Sequence, residues 1–562
     1  MKKKTPEDWM SDISNALHFR ETFGRESHWA DLEDSYMNDP NGDTAIGPNL
    51  VYSYGDSLMS MLSVPDPEFL VAPETRDGVK TAPIVERLAA QLTRKTRMKK
   101  AVDSGLLNAY LYGRLILKVG YDSLYGFDPY YDIGSREQPM GMTLTQFDKK
   151  GKRLEFGPQK PGWPWVRPVM PHDFVVPWGT VDIESAPWCA FRFIREVSAM
   201  KSDPKYKNTT RLQADMNMEE FMNSYKTVGA KRMKYESART HDYNNKKALF
   251  KEFWEIRDAS SHRIMVVTDD YDKFLRDDFD AIQMACGQLP VVTGTFVQHP
   301  RSFWTSPLAY YLGQIQHTQF DISLQAEKQR RLSVLKFLVR KGVLTEEART
   351  RLLSGDVGAC EEAELGTSTS INEVFGTVPT GNPINFQLHS DTNRADARDM
   401  IGFSRNQVGE YDSSSRRTAR EATFVNQGSE RRSGKRMQMI SDVYRDTLRL
   451  ENKLVFKFWT TPRDVMVENG WASVTGRQLA SDYAYDLTLS SKRNVSKAQR
   501  KVEAFQVFMQ MAQFPGANLP MLYQYLMDAA NDPAFEQLLP SPGSNQGGRS
   551  PSGGMPTIPG SA

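Results

Sequence analysis

Tyr411-Asp412-Ser413-Ser414-Ser415, followed by Arg416-Arg417-Thr418-Ala419-Arg420-Glu421-Ala422, is the stretch on which the reading of this chain turns. A polar helical stretch, Gln387 to Glu410, leads into it, and a second long helical run leaves it for about Trp459. Two long helices therefore meet at a short, small-residue, basic elbow. Between Arg416 and Arg436 stand seven basic residues (Arg416, Arg417, Arg420, Arg431, Arg432, Lys435, Arg436) against Glu421 and Glu430, a local charge of +5. Such a charge suits contact with phosphates, and it suits salt bridging between subunits equally well, because the guanidinium fork serves both. Repeated around a ring, even one arginine per copy makes a positive collar, which salt screens beyond about 8 Å.

Composition narrows the classes open to the chain. Its 562 residues predict roughly two to four folding units. The hydrophobic fraction is 39%, below the roughly 45–50% of ordinary globular usage, which predicts much exposed surface and burial against further copies. Net charge is +2, from 71 basic and 69 acidic residues, so any grip on nucleic acid is local or built to slide. Cys189, Cys286 and Cys360 form no CxxC, which removes a zinc ribbon and a disulfide framework. The basic start has no apolar core behind it, so no secretory signal is expected. No apolar run of about 18 residues predicts a membrane span.

Periodicity and breakers predict the elements. Residues 6–63 read as helices broken by Asp39-Pro40-Asn41-Gly42 and Gly47-Pro48-Asn49; Phe69-Leu70-Val71 reads as a strand. Three- and four-residue apolar steps predict one helix over Thr81–Tyr112, closed by Gly113 and followed by a strand over Arg114–Tyr121. The basic run within it, Arg94 to Lys100, reads as a solvated face. Phe127–Val197 is expected to be β-rich, with Trp163, Trp165 and Trp178 closing a small β core. A short helix is expected over 211–226, a hairpin over Leu249–Arg257 and His262–Thr268, and a strand over Leu289–Phe296. Pro307–Leu338 reads as a long helix too polar to pack within one monomer core. A compact module follows to residue 386. Beyond the helix pair come a β segment, Tyr483–Leu489, and helices over Ser496–Ala512 and Leu519–Ala530. From Pro540 on, 16 of 23 residues are Gly, Pro or Ser, a tail expected to be disordered.

Sites of chemistry are scarce. Gly428-Ser429-Glu430-Arg431-Arg432-Ser433-Gly434-Lys435-Arg436 approximates a phosphate-binding loop, but its spacing is one residue too long, Arg436 stands where a magnesium-binding hydroxyl belongs, and it lies in a helical run. No GxGxxG, GxSxG or HExxH occurs, and no two histidines stand three or four residues apart. Pro171-His172-Asp173 reads as a turn with a satisfied histidine. Asp269-Asp270 and Asp277-Asp278 read as turn or strand-end residues. Neither an enzyme nor a cofactor or metal site is expected.

Five stretches, taken in order, resemble the portal proteins of tailed bacteriophages, the head-to-tail connectors of the capsid. They are Trp29–Tyr36 with Asn49-Leu50-Val51; Leu111–Tyr121; Arg167-Pro168-Val169 through His172–Pro177; Trp304-Thr305-Ser306-Pro307-Leu308 leading to Gln319–Ser323; and Arg417–Ala422. The resemblance implies an α+β, helix-rich, ring-forming fold: a wing over residues 1–306, a descending stem helix over 307–332, a clip over 333–386, and an ascending stem helix over 387–410. A tunnel loop over 411–422, a wing spine helix with its β return over 423–495, crown helices over 496–539 and the tail 540–562 complete it. It also implies a dodecamer at one capsid vertex of a virion assembled in the host cytoplasm, with double-stranded DNA in its channel. The implied partners are the terminase large subunit, head–tail adaptor proteins and the major capsid protein. Tyr411, Asp412, Ser413, Ser414, Ser415, Arg416, Arg417 and Arg420 become tunnel-loop candidates; Gln319, Asp321, Gln325, Lys328, Arg330, Arg331, Arg398 and Arg405 become stem candidates. Two other readings stay open: an oligomeric virion or scaffold protein without a channel, and a metal-dependent nucleic-acid enzyme.

Overall fold

The computed structural model describes residues 4–37, 47–64, 67–121, 146–147, 153–154, 163–203, 205–217, 220, 248–332, 337–339, 375–377, 385–403, 419–460, 462–467, 470–488, 505–506 and 508–510. They divide into a unit over residues 1–488 and another over 489–562. In the second, residues 505–506 and 508–510 are helical; the tail lies outside the described residues.

The first unit opens with α1 (Pro6–Gly24). Thr5 and Asp8 form its capping box, satisfying donors that a helix start leaves open, and Arg25 ends it with φ 55°. Then come α2 (Trp29–Met37), α3 (Leu50–Leu62) and β1 (Glu68–Pro73). The single helix expected over Thr81–Tyr112 is instead two, α4 (Ala82–Lys95) and α5 (Met98–Tyr112). Arg97 breaks the run by adopting φ 53°, a left-handed backbone that apolar spacing does not reveal. Gly113 closes α5 with φ +85°, and a Cβ there would lie 2.4 Å from the Thr305 carbonyl oxygen.

Strand β2 (Leu115–Tyr121) is buried along its whole length. After the short hairpin β3–β4 (Gln146–Phe147, Arg153–Leu154) come β5 (Pro164–Pro168), β6 (Phe174–Val175), β7 (Trp188–Glu196) and α6 (Val197–Ser202). The hairpin expected near 249–268 is present as β8 (Phe250–Asp258) and β9 (Arg263–Val267), and β10 (Arg276–Phe279), α7 (Ala281–Cys286) and β11 (Val291–Gly294) follow. The helix expected from 211 is absent over 212–217; only Glu220 is helical among the described residues to 226.

Two sheets organise this part. One is five-stranded and antiparallel, in the order β10-β9-β8-β7-β6, and the other three-stranded, β11-β2-β5. A buried ionic chain joins them. Lys118 of β2 lies 3.0 Å from Glu255 of β8, Arg257 lies 3.1 Å from Glu255, and Arg257 lies 2.9 Å from Asp280. Asp280 in turn accepts from the backbone N–H groups of Ile282 and Gln283 and so starts α7. Burial pushes the Glu255 carboxyl up, but the Lys118 and Arg257 charges outweigh it and hold the pKa at about 2.

Helix α8 (Leu308–Leu332) follows, β12 (Phe337–Val339) pairs antiparallel with β13 (Phe375–Thr377), and α9 (Phe386–Ile401) packs against α8. The long helix α10 (Ala419–Phe458) spans 40 residues, about 60 Å at the usual rise. Its last turns bury Ile440, Val443, Tyr444, Thr447, Leu448, Glu451 and Val455, a three- and four-residue stripe. Hairpin β14–β15 (Arg463–Val467, Gly470–Val474), α11 (Gly476–Leu479) and β16 (Tyr483–Thr488) finish the unit, with β16 pairing antiparallel to β1. The fold is mixed, helix-rich α+β.

Candidate functional site

The segment α8–β12–β13–α9 carries most of the stem candidates, and its base is built by packing rather than by charge. Along α8, Leu308, Leu312, Gln316 and Gln319 are buried. Beyond Phe320 no described side chain of α8 is buried. The helix thus begins as a core element and continues with side chains that are half-buried or exposed among the described residues. Its companion α9 behaves likewise: Ala397, Arg398 and Ile401 are buried at its end, while Leu388 at its start is 63% exposed.

Gln316 locks this base. Its Oε1 accepts from the Leu50 and Val51 backbone N–H groups, and its Nε2 donates to the Pro48 carbonyl oxygen at 3.0 Å. One amide side chain therefore satisfies donors at the open start of α3. Gly47 approaches α8 so closely that a Cβ would lie 2.6 Å from Ser323 Oγ, and its φ of +125° also calls for glycine. The Tyr54 hydroxyl reaches the Arg394 carbonyl oxygen of α9 at 3.2 Å. Sequence reasoning passed over Gln316; its signal was its place in the stripe Leu308–Leu312–Gln316, where a polar residue falls on the apolar face.

Gln319 is 1% exposed and donates from Nε2 to Ser390 Oγ at 2.9 Å, joining α8 to α9. It holds the pair together and is not offered to a ligand. Arg398 is also buried, its carbonyl oxygen accepting from Gly402 and Phe403. Asp321, Gln325, Lys328 and Arg330 are exposed on α8. Arg331 lies in the last turn of α8 and Arg420 in the first of α10, with side chains outside the described residues. Arg405 and Tyr411, Asp412, Ser413, Ser414, Ser415, Arg416 and Arg417 also lie outside them. The helix expected over 387–410 ends sooner: Gly402 leaves it with φ +83°, an ordinary glycine stop. The one expected to run to Leu338 ends at Leu332.

The helix pair is balanced in charge by count: Lys328, Arg330, Arg331, Arg394 and Arg398 are matched in number by Asp321, Glu327, Asp391, Asp396 and Asp399. Exposed Leu324 (39%), Leu388 and Met400 (46%) intersperse apolar surface among these charges.

Other motifs resolve as structure. Gly428–Arg436 lies inside α10. His172 is buried edge-on against Trp29 and Tyr112, with ring centroids 4.7 and 5.0 Å away, and burial followed by the Arg20 and Arg192 charges lowers its pKa to about 3. Around it the Arg20 guanidinium donates to the carbonyl oxygens of Pro171, His172 and Phe174. Asp277 pairs with Arg263 at 2.6 Å and Asp278 with Arg276 at 3.0 Å. Among the described residues no group of His, Cys, Asp or Glu is arranged to hold a metal ion, and no helix is long and apolar enough to cross a membrane. Trp163 packs on Trp459 with centroids 5.2 Å apart, but Trp178 departs from the expected β core. It is 54% exposed and lies against His18, Phe19 and Phe23 of α1.

No protein-family model and no curated protein matches the chain. A solved structure described as the neck of an empty GTA particle, computed with C6 symmetry, is similar over 90% of this chain and 96% of its own, at 9% identity and a TM-score of 0.40. At that score the likeness carries no argument.

Proposed function

We propose that the chain is a ring-forming portal subunit, a conduit for double-stranded DNA in a phage-like virion that docks a terminase and head–tail adaptors at one capsid vertex. The observation that carries this reading is the helix pair α8–α9. Its base is locked into the body by Gln316, the pair carries five basic and five acidic residues in its sequence, and Asp321, Lys328, Arg330, Asp391 and Asp396 are exposed with Leu324 and Leu388 among them. A helix surface of that kind is stable when neighbouring copies cover its apolar residues. A balanced wall also suits passage of a polyanion, since each strong phosphate contact adds affinity and would slow sliding. The elbow between α9 and α10 is then the narrowest part, and the motor bound to the ring supplies the work. The subunit itself is not an enzyme in this reading.

Negative-stain images of the purified protein test it. Rings, dodecameric in this reading, with a hole wide enough for a duplex support it; filaments, closed shells or a stable monomer overturn it. Replacing Arg416 and Arg417 by Ala should leave rings intact and impair DNA packaging or retention. Loss of rings in that variant would make the two arginines interface residues. Hydrolysis of ATP by the pure protein at motor-like rates would refute the conduit reading.

A further inference from the structure

A groove of about 540 Å³ opens between α1 and the edge of β8. Its floor is apolar, formed by Ile13, Leu17, Met216 and Trp254, and its rim carries Asp215, Glu220, Glu252 and Asp269 with no basic side chain in the lining among the described residues. Two rim carboxylates already have cations: Lys251 lies 2.6 Å from Asp215, and Arg192 lies 3.5 Å from Glu252. The Trp254 indole N–H holds Glu252 at 3.0 Å. Among the described residues Glu220 and Asp269 accept backbone N–H groups alone, from Asn217 at 2.8 Å and Asp270 at 3.1 Å. Among the described residues these carboxylates do not gather into a metal-holding group. The groove therefore suits several separate cations on aliphatic stems rather than one ion.

The same chain carries such cations on other elements. At the corner between α4 and α5, Arg94, Arg97 and Lys100 are exposed and form no ion pair among the described residues. Lys95 beside them sits 3.7 Å over the Trp163 ring, and Lys99 interacts with Asp103. We propose that the acidic groove of one copy takes the basic α4–α5 corner of the next copy. A closed ring needs two different, complementary patches on every subunit, because its contacts are head to tail. The groove and the corner supply opposite charge, and arginine and lysine stems cover apolar floor while their heads meet the rim. A net charge of +2 leaves little long-range repulsion between copies. The inference rests on the ring reading above.

Charge reversal on each side, then on both, tests it with the full chain. Glu220→Lys with Asp269→Lys should weaken assembly about tenfold or more, as should Arg94→Glu with Lys100→Glu, read by sedimentation velocity and ring counts. The protein carrying all four changes should recover rings. All these positions are exposed, and an unchanged thermal midpoint shows that each variant is folded. A wild-type protein that forms no ring at any concentration overturns the ring reading itself. Wild-type rings that survive both reversals, or a fourfold variant that fails to recover, overturn the groove–corner pairing and leave the ring reading standing. If Arg94→Glu with Lys100→Glu keeps its rings but loses retention of a DNA duplex, the corner is a nucleic-acid surface and the pairing is again overturned.

Discussion

Replacing Glu255 by Leu removes the anion at the centre of the buried chain Lys118–Glu255–Arg257–Asp280. Arg257 keeps Asp280 at 2.9 Å, but Lys118, 2% exposed, is left among the described residues with the Phe191 ring 4.2 Å away and no anion. An uncompensated buried cation costs about 3–5 kcal/mol. A second estimate comes from protonation. Glu255 titrates at about 2 rather than 4.5, and at about 1.4 kcal/mol per pH unit the ionised network contributes about 3 kcal/mol. Because the folded pKa is depressed, that contribution is fully present above about pH 4.5 and is lost as the pH falls toward 2. Thermal unfolding at pH 7 should show Glu255→Leu melting on the order of 3–5 °C below wild type. The double variant Lys118→Met, Glu255→Leu should recover most of that loss, since paired apolar groups of similar volume replace a buried ion pair with little cost. The wild-type midpoint should fall between pH 5 and 3 more steeply than that of the double variant. A single variant that loses less than about 1 kcal/mol, or a double variant no more stable than the single, would refute the argument that the chain joins the two sheets as a charge-matched unit.

Gln316→Leu keeps the volume but leaves the start of α3 without its acceptor, and should cost about 1–3 kcal/mol in thermal or denaturant unfolding. Hydrogen exchange at Leu50 and Val51 should quicken in the same variant. Glu451 is fully buried on α10 and forms no ion pair among the described residues; burial, against a smaller pull from Thr96, raises its pKa to about 8. A raised carboxylate pKa favours the fold fully below about 4.5 and loses that contribution as pH climbs through about 8, so Glu451→Gln should gain stability over wild type as pH rises from 5 to 9. Gly113→Ala meets both a φ of +85° and the Thr305 carbonyl oxygen, and a fall in melting temperature equivalent to more than about 1 kcal/mol is expected.

Local rules were sufficient for much of this chain. Apolar steps marked the helical run that holds α4 and α5, Gly and Pro punctuation marked β1 and β2, and the helical run read through Gly428–Arg436 is where α10 lies. Those signals act between residues a few positions apart, so they survive in one dimension. The break at Arg97 was not legible, because a left-handed arginine is held by its surroundings and has no spacing of its own. Nor was the surface position of Trp178, which α1 decides by packing against it from more than 150 positions away.

The stem candidates divide along the same line. Their polarity was plain in the sequence, but polarity alone does not separate Gln319, buried against Ser390, from Asp321 two residues on, which faces solvent. Gln316 made no claim on attention until the start of α3 arrived beside it. The union of Lys118, Glu255, Arg257 and Asp280, drawn from two sheets and a helix cap, exists only once the strands are in register. Secondary structure and charge balance were local properties of the chain. Which polar groups are buried, and what satisfies them, depended on long-range packing, because desolvation is set by every element that closes over a side chain and not by its neighbours in sequence.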